Sequence, residues 1–152
     1  MKFECSTDIN APLDKVVALF NEPNNFKEWQ SGFIGYEPIS GTPRTAGAKS
    51  AITYINGKRK IVLTETIRVM NLPMEMTALY EHEHMDNTMT NSFTELPDGK
   101  TRYTSGIGYI EFHGFMPKLM AFLMPGMFKK QSQKWVDQFK AFAEKEYHET
   151  LS

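Results

Sequence analysis

Glu65 interrupts an otherwise aliphatic series. Read at period two, residues 61–69 place Ile61, Leu63, Glu65, Ile67 and Val69 on one face of a strand. A carboxylate in that position must find a partner or give up its charge, because desolvation disfavours the ionised form. Residues 74–84 alternate in the same way, with Met74, Met76, Ala78, Tyr80, His82 and His84 on the more apolar face. Turning that face inward brings Tyr80 and His82 toward the interior and sets His84 near its rim. Glu65 or His82 is then a candidate acid or base, and Tyr80 or Tyr109 could polarise a carbonyl. The plainer alternative leaves Glu65 hydrogen-bonded to His82 or Tyr80, or turned outward by a bulge.

The pair His82-x-His84 invites a test for metal. Two imidazoles on one strand face can chelate, but a zinc site needs three or four ligands. Glu65 and His113 are the only additions in reach of the argument, and neither has diagnostic spacing, so no metal is expected. No glycine-rich phosphate loop precedes a helix, and no Gly-x-Ser-x-Gly motif is present. No cofactor is expected. Cys5 is the single cysteine, which excludes an internal disulfide and fits a buried strand thiol. The 17 basic and 18 acidic side chains give a formal net charge of −1, without the basic surplus of a nucleic-acid binder.

The elements that would position these residues follow from periodicity. Residues 2–9 alternate as a strand. Asn10 is placed to cap a helix, Pro12 fits its first turn, and Leu13, Val16, Val17 and Phe20 form its apolar stripe. A second short helix runs from Asn24 to Trp29. Strands follow over 32–40, 47–56, 59–70, 74–84, 88–96 and 101–112. Their turns are expected at Gly41-Thr42-Pro43, Asn56-Gly57, Asn71-Leu72-Pro73, Met85-Asp86-Asn87 and Pro97-Asp98-Gly99. Inward sets in the last two strands are Asn87, Met89, Asn91 and Phe93, then Thr101, Tyr103, Ser105, Ile107 and Tyr109. Gly106 and Gly108 suggest curvature or a bulge. From Met116 the period becomes helical, with a break at Pro125-Gly126, and Phe128, Trp135, Phe139 and Phe142 continue an amphipathic helix. The chain therefore reads as one α+β domain over residues 1–152, an antiparallel sheet of about seven strands wrapped around a long C-terminal helix. The most apolar stretch, 112–128, is broken by His113, Pro117, Lys118 and Pro125, and falls short of the ~20 residues of a membrane span. No stable membrane insertion is expected. The first residues lack the apolar core of a secretory signal, so a cytoplasmic location is the expectation.

Three segments resemble the START-like, Bet v 1-like superfamily, also called SRPBCC, in its polyketide cyclase/dehydratase-like group. The first is Ile9-Asn10-Ala11-Pro12-Leu13-Asp14-Lys15-Val16 with Phe20, Pro23, Phe26 and Trp29. The second runs from Gly41-Thr42-Pro43 to Gly47, with Leu63-Thr64-Glu65 before Pro73. The third is Phe93 to Arg102, leading to Phe139-Lys140 and Glu144 in the last helix. The resemblance implies a helix-grip fold with a cavity between sheet and last helix, open near the loops and the start of that helix. Members of the superfamily include lipid and hormone carriers, cyclases, oxygenase domains and co-chaperone modules. The ligand-facing set expected here is Trp29, Glu65, Tyr80, His82, Asn91, Phe93, Tyr103, Tyr109, Met120, Met124 and Phe128. The run Met116, Met120, Met124 and Met127 departs from the usual pattern, either as an adaptable pocket wall or as core filling. The functional expectation is binding or carriage of an apolar small molecule. The alternatives are a cyclase or dehydratase using Glu65 or His82, and a co-chaperone-like interaction module. The sequence carries no sign of oligomeric state.

Overall fold

The computed structural model describes residues 2–151, apart from the side chain of Pro125. Strand β1 (Lys2–Ile9) is followed by helix α1 (Leu13–Phe20), a 3-10 turn (Pro23–Asn25) and the short helix α2 (Phe26–Trp29). Then come β2 (Phe33–Ser40), β3 (Lys49–Asn56), β4 (Arg59–Asn71), β5 (Glu75–Glu81), β6 (Met85–Glu95) and β7 (Thr101–Phe112). Helices α3 (Phe115–Leu123) and α4 (Pro125–Leu151) end the chain. The seven strands form one antiparallel sheet in the order β1-β7-β6-β5-β4-β3-β2. Short turns between consecutive strands dictate the meander from β2 to β7, and β1 closes it beside β7.

Both ends of the chain meet at one edge. The full length of β1 pairs with β7, from Lys2↔Gly108 to Ile9↔Thr101. Helix α4 then lies against β1. The Asn10 N–H donates to Glu144 Oε2 at 2.8 Å, and Lys140 Nζ donates to the Asp8 carbonyl at 2.7 Å. Between sheet and α4 sits an aromatic core. Phe139, fully buried, has ring centroids of Phe20, Tyr103 and Trp29 at 5.5, 5.5 and 5.0 Å. Edge-on arrangements of this kind suit the ring quadrupoles. The α1 stripe delivers Val16 and Phe20 to this core, and α4 delivers Val136 and Ala143.

The sheet bends where its register slips. Shifts occur in β2 near Gly35 and Pro38, in β4 between Ile67 and Val69, and between Asp86 and Asn87 of β6 opposite β7. An extra residue on one strand kinks it and deepens its twist. The bulge at Arg68 changes one expected face. Val69 does not follow Glu65 and Ile67 inward but is exposed, and Met70 packs in its place. Gly106 and Gly108 are paired in register on both sides, so the irregularity in β7 falls at Ile110 and not at the glycines.

Several local expectations need correction. Asn10 does not cap α1. Pro12 occupies the cap position with extended φ and ψ and no side-chain bond, while Asn10 is tied to α4. The β3–β4 turn is Gly57-Lys58, flanked by the pair Asn56↔Arg59, and Gly57 carries its positive φ of 65°. One glycine at the first central position is the demand of a II′-like turn, which shifts the turn one residue beyond the expected Asn56-Gly57. The β5–β6 reversal falls at His82–His84, and Met85, Asp86 and Asn87 belong to β6. The His82 N–H donates to the Met85 carbonyl at 3.2 Å, and the His84 N–H meets His82 Nδ1 at 3.2 Å. The imidazole thus closes the reversal that was expected at Met85-Asp86-Asn87. Met74 lies in the preceding turn, 74 % exposed and not inward. At Pro97-Asp98-Gly99 the turn forms as read, with Gly99 at φ 85° and Leu96 and Lys100 closing it.

Candidate functional site

A cavity of about 200 Å³ lies between the concave sheet face and the first half of α4. Its apolar wall comes from Phe20 and Phe26 near the short helices, Ile52 and Leu63 on β3 and β4, Met76, Met85 and Met89 on β5 and β6, and Ile107 on β7. Period-two alternation explains the strand contributions. Asn87, Met89 and Asn91 all face inward from β6, and Tyr103, Ser105, Ile107 and Tyr109 from β7. Helix α4 covers them with Gln131, Ser132, Trp135 and Val136, the i, i+1, i+4 and i+5 positions of one stripe.

The polar groups cluster toward the β3–β5 side. Glu65 is 2 % exposed. The Tyr80 hydroxyl donates to its Oε2 at 2.7 Å, and Arg44 Nη1 approaches its Oε1 at 3.4 Å. Arg44 comes from the β2–β3 loop, where it holds a left-handed φ of 65°. Its Nε donates to Asn21 Oδ1 at 2.9 Å, and its guanidinium carbon lies 5.5 Å from the Phe26 ring centroid. Three separate elements therefore fix one cation against one buried carboxylate. Nearby, the Tyr54 hydroxyl donates to Gln30 Oε1 at 2.5 Å. Farther along, Tyr103 donates to Asn91 Oδ1 at 2.8 Å.

Burial decides the protonation of these groups. The Tyr54 and Tyr80 phenols are raised well above their ordinary range, first by desolvation and then by the Glu65 charge. Burial likewise raises Tyr103, and it pushes Tyr109 up to about 12. All four stay protonated at neutral pH, and Tyr54, Tyr80 and Tyr103 act as donors. The His82 imidazole is lowered, mainly by desolvation and next by His84, and stays neutral there. Among the described wall residues the only formal charges are Arg44 and Glu65, and they compensate each other.

Most donors are already committed. Three buried groups of the wall have no partner among the described residues: the Ser105 hydroxyl and the two indole N–H groups, Trp29 Nε1 and Trp135 Nε1. Both rings are held firmly. Trp29 packs against Phe20 and Phe139, and Trp135 stacks on Tyr54 at 5.3 Å. Nearly all buried polar groups are paired in folded proteins, so two orphaned N–H groups in the wall of one cavity are informative.

Trp29, Glu65, Tyr80, His82, Asn91, Tyr103 and Tyr109 are thus brought together in the wall. Phe93 lies deeper, stacked on Tyr103 at 4.8 Å in the aromatic core. Phe128 sits behind Tyr109 and Phe112, with centroids at 5.0 and 5.8 Å. Met120 and Met124 do not reach the wall; Met120 is half-buried against the protein and Met124 is 46 % exposed. His84 also lies outside it, with Nε2 2.8 Å from Arg59 Nη2. The methionine run is neither pocket wall nor core, since Met116, Met124 and Met127 are all exposed. Arg44, Gln30, Tyr54 and Trp135 were not singled out by sequence. The signal available for Arg44 was indirect, namely that a carboxylate on an apolar face calls for a cation. Beyond the cavity rim, donor atoms of Asp86, Glu111 and His113 lie within 4.8 Å of one another, and His113 Nε2 meets Asp86 Oδ1 at 3.2 Å. One imidazole and two carboxylates suit a divalent ion, but the Asp86–His113 contact already partners two of the three groups.

No family model matches the chain. No curated protein matches it either. Solved structures do. The Zhui aromatase/cyclase from Streptomyces sp. R1128 superposes with a TM-score of 0.79 at 8 % identity, covering 95 % of this chain and 93 % of that one. A conserved protein from Geobacillus kaustophilus gives 0.78 at 14 % identity, over 97 % and 98 %. The ginseng major latex-like protein 151 from Panax ginseng gives 0.71 at 14 % identity, over 94 % and 97 %.

Proposed function

We propose that this chain, which has the helix-grip fold of the START-like, Bet v 1-like superfamily, binds a compact, neutral, ring-containing molecule in the cavity under α4. The observation that carries this reading is the pair of orphaned indole N–H groups on two tryptophans that line the cavity. A ligand oxygen accepting from Trp29 or Trp135 would satisfy a donor that the protein leaves unpaired. Size narrows the class. An apolar cavity of about 150 Å³ is enough for benzene. About 200 Å³ therefore suits a ring with a few substituents and not a long acyl chain. Charge narrows it further: Arg44 is matched by Glu65 and His82 is neutral, so no spare cation awaits a carboxylate.

The test is a titration with neutral ring ketones and phenols, read by intrinsic fluorescence, alongside native mass spectrometry of the purified protein. Both tryptophans of the chain are the reporters. Saturable change that weakens in Trp29→Phe and Trp135→Phe supports the reading. A panel without saturable binding, together with an adduct-free mass, refutes it.

A second reading is catalytic. Its support is the Arg44–Glu65–Tyr80 cluster inside a cavity whose fold is shared with an aromatase/cyclase. Tyr80 would turn its hydroxyl from Glu65 to a ligand carbonyl while Glu65, or His82 two residues along the chain from Tyr80, takes a proton. Turnover of a bound ligand that survives unchanged in both Glu65→Gln and His82→Ala removes this reading and leaves binding untouched. A co-chaperone-like role has no observation in its favour.

A further inference from the structure

Helix α3 turns its apolar side outward. Phe115, Met116, Leu119, Phe122 and Leu123 fall within about 120° of arc at about 100° per residue. Pro117 and Ala121 lie on the opposite side. An amphipathic surface helix ordinarily buries such a face, but Phe122 is 81 % exposed, Phe115 75 %, Leu123 62 % and Met116 60 %. Ile110 on the outer face of β7, and Met124 and Met127 beyond the helix, are exposed as well. Half of the exposed large apolar side chains among the described residues thus lie between Ile110 and Met127.

Charge along α3 and the start of α4 is positive, with exposed Glu111 and Asp137 flanking the stretch on either side. The chain as a whole is nearly neutral, yet residues 112–136 contain Lys118, Lys129, Lys130 and Lys134 and no aspartate or glutamate. These lysines are exposed, and none forms an ion pair among the described residues. Exposed apolar groups and exposed lysines on the same two helices match the layering of an anionic bilayer surface, where apolar side chains reach the acyl boundary and ammonium groups meet the headgroups. A second copy of this chain fits less well, because a two-fold contact through the patch would set lysines against lysines. No described helix is long and apolar enough to cross a membrane, so the contact is with the surface.

We infer that α3 and the start of α4 form a docking surface for an anionic lipid bilayer, with Phe115, Phe122 and Leu123 entering the interface and Lys118, Lys129 and Lys130 holding its headgroups. The inference rests on the surface alone and stands apart from what the cavity binds.

Cosedimentation of the full chain with phosphatidylcholine vesicles, with and without about 30 % phosphatidylserine, tests it. The wild-type protein pellets with the anionic vesicles, less in high salt, and only weakly with pure phosphatidylcholine. Phe122→Asp/Leu123→Asp abolishes pelleting while leaving the thermal transition in place, since both side chains are exposed. Lys129→Ala/Lys130→Ala weakens partitioning by about fivefold for each lysine removed. Wild-type protein that stays in the supernatant at low salt overturns the inference. So does retention by the double aspartate variant. Sedimentation velocity supplies the remaining arm: a dimer that Phe122→Asp/Leu123→Asp disperses, without vesicle binding, assigns the patch to a second copy and overturns the bilayer.

Discussion

Removing Arg44 should harm the protein more than removing the whole ion pair. The Arg44–Glu65 contact is 3.4 Å, with side chains 10 % and 3 % exposed. At an effective dielectric constant of about 20, unit charges at that distance attract by about 5 kcal/mol before desolvation is counted. Arg44→Met strands Glu65 with only the Tyr80 hydroxyl as a partner. Breaking a buried pair in this way costs about 3–5 kcal/mol. For a chain of this length, where ~1 kcal/mol moves Tm by about 2–4 °C, the low end of that range lowers Tm by about 6–12 °C. Methionine is chosen over glycine because residue 44 sits at φ 65°, and glycine would relieve backbone strain and mask the electrostatic loss. Adding Glu65→Leu removes the stranded charge, and the double variant should recover at least half of the deficit. What then persists is the Tyr80 hydroxyl without its acceptor, an unmade hydrogen bond of about 1–3 kcal/mol, which Tyr80→Phe removes in turn. Thermal and urea unfolding followed by circular dichroism measures all three steps. A double variant no more stable than Arg44→Met refutes the reasoning, because the cost would then lie in lost packing and not in an uncompensated charge.

Phe139→Ala empties the centre of the aromatic core, fully buried among Phe20, Trp29 and Tyr103, and should lower stability by about 3–5 kcal/mol in urea denaturation. Gly99→Ala and Gly32→Ala make a matched pair at nearly equal φ. A Cβ at Gly99 meets open space, while one at Gly32 would lie 2.5 Å from the Ile55 carbonyl oxygen, so the Gly32 variant should lose clearly more stability in the same assay. His82 titrates below the ordinary imidazole value because burial and His84 oppose its charge, with Asp86 and Glu83 pulling the other way and His113 adding to the depression. The unfolded state therefore takes the proton first. Stability attributable to this residue is complete above about pH 6.5 and declines as pH falls toward the depressed folded value. His82→Gln should flatten that slope, and an NMR titration placing the imidazole at or above about 6.5 would contradict it.

The order of elements was legible because each part of the chain repeats one period: two in the strands, 3.6 in α1 and α4. The cavity-facing sets on β6 and β7 follow from the same alternation. What escaped were the places where a period is broken by a partner distant in sequence. A bulge at Arg68 sends Val69 outward, and alternation alone cannot locate a bulge. The β5–β6 reversal is closed by His82 through its own ring, a role no turn preference assigns to histidine. Arg44 sits in a loop and reaches Glu65 only because β2, β3 and β4 are adjacent in the sheet. The helical spacing of 116–127 was visible, but the direction of its apolar face was not. Periodicity reports that a helix has two sides and is silent on which one meets the protein.

The meeting of the chain's two ends has a consequence in time. Strand β1 finds its partner β7 only after about a hundred residues have intervened, and its ties to α4 span up to 134. Contacts of such long range are slow to form, because their loop entropy is lost before the contact can offset it. As the chain emerges from a ribosome, the β2–β7 meander can assemble from neighbours, while β1 waits beside an unfinished edge. The docking of α4 then completes the edge and seals the core in one late step. Until that step the cavity has a floor and no roof, so capture of any ligand belongs to the end of folding, and a nascent chain stalled before α4 presents its aromatic core to solvent.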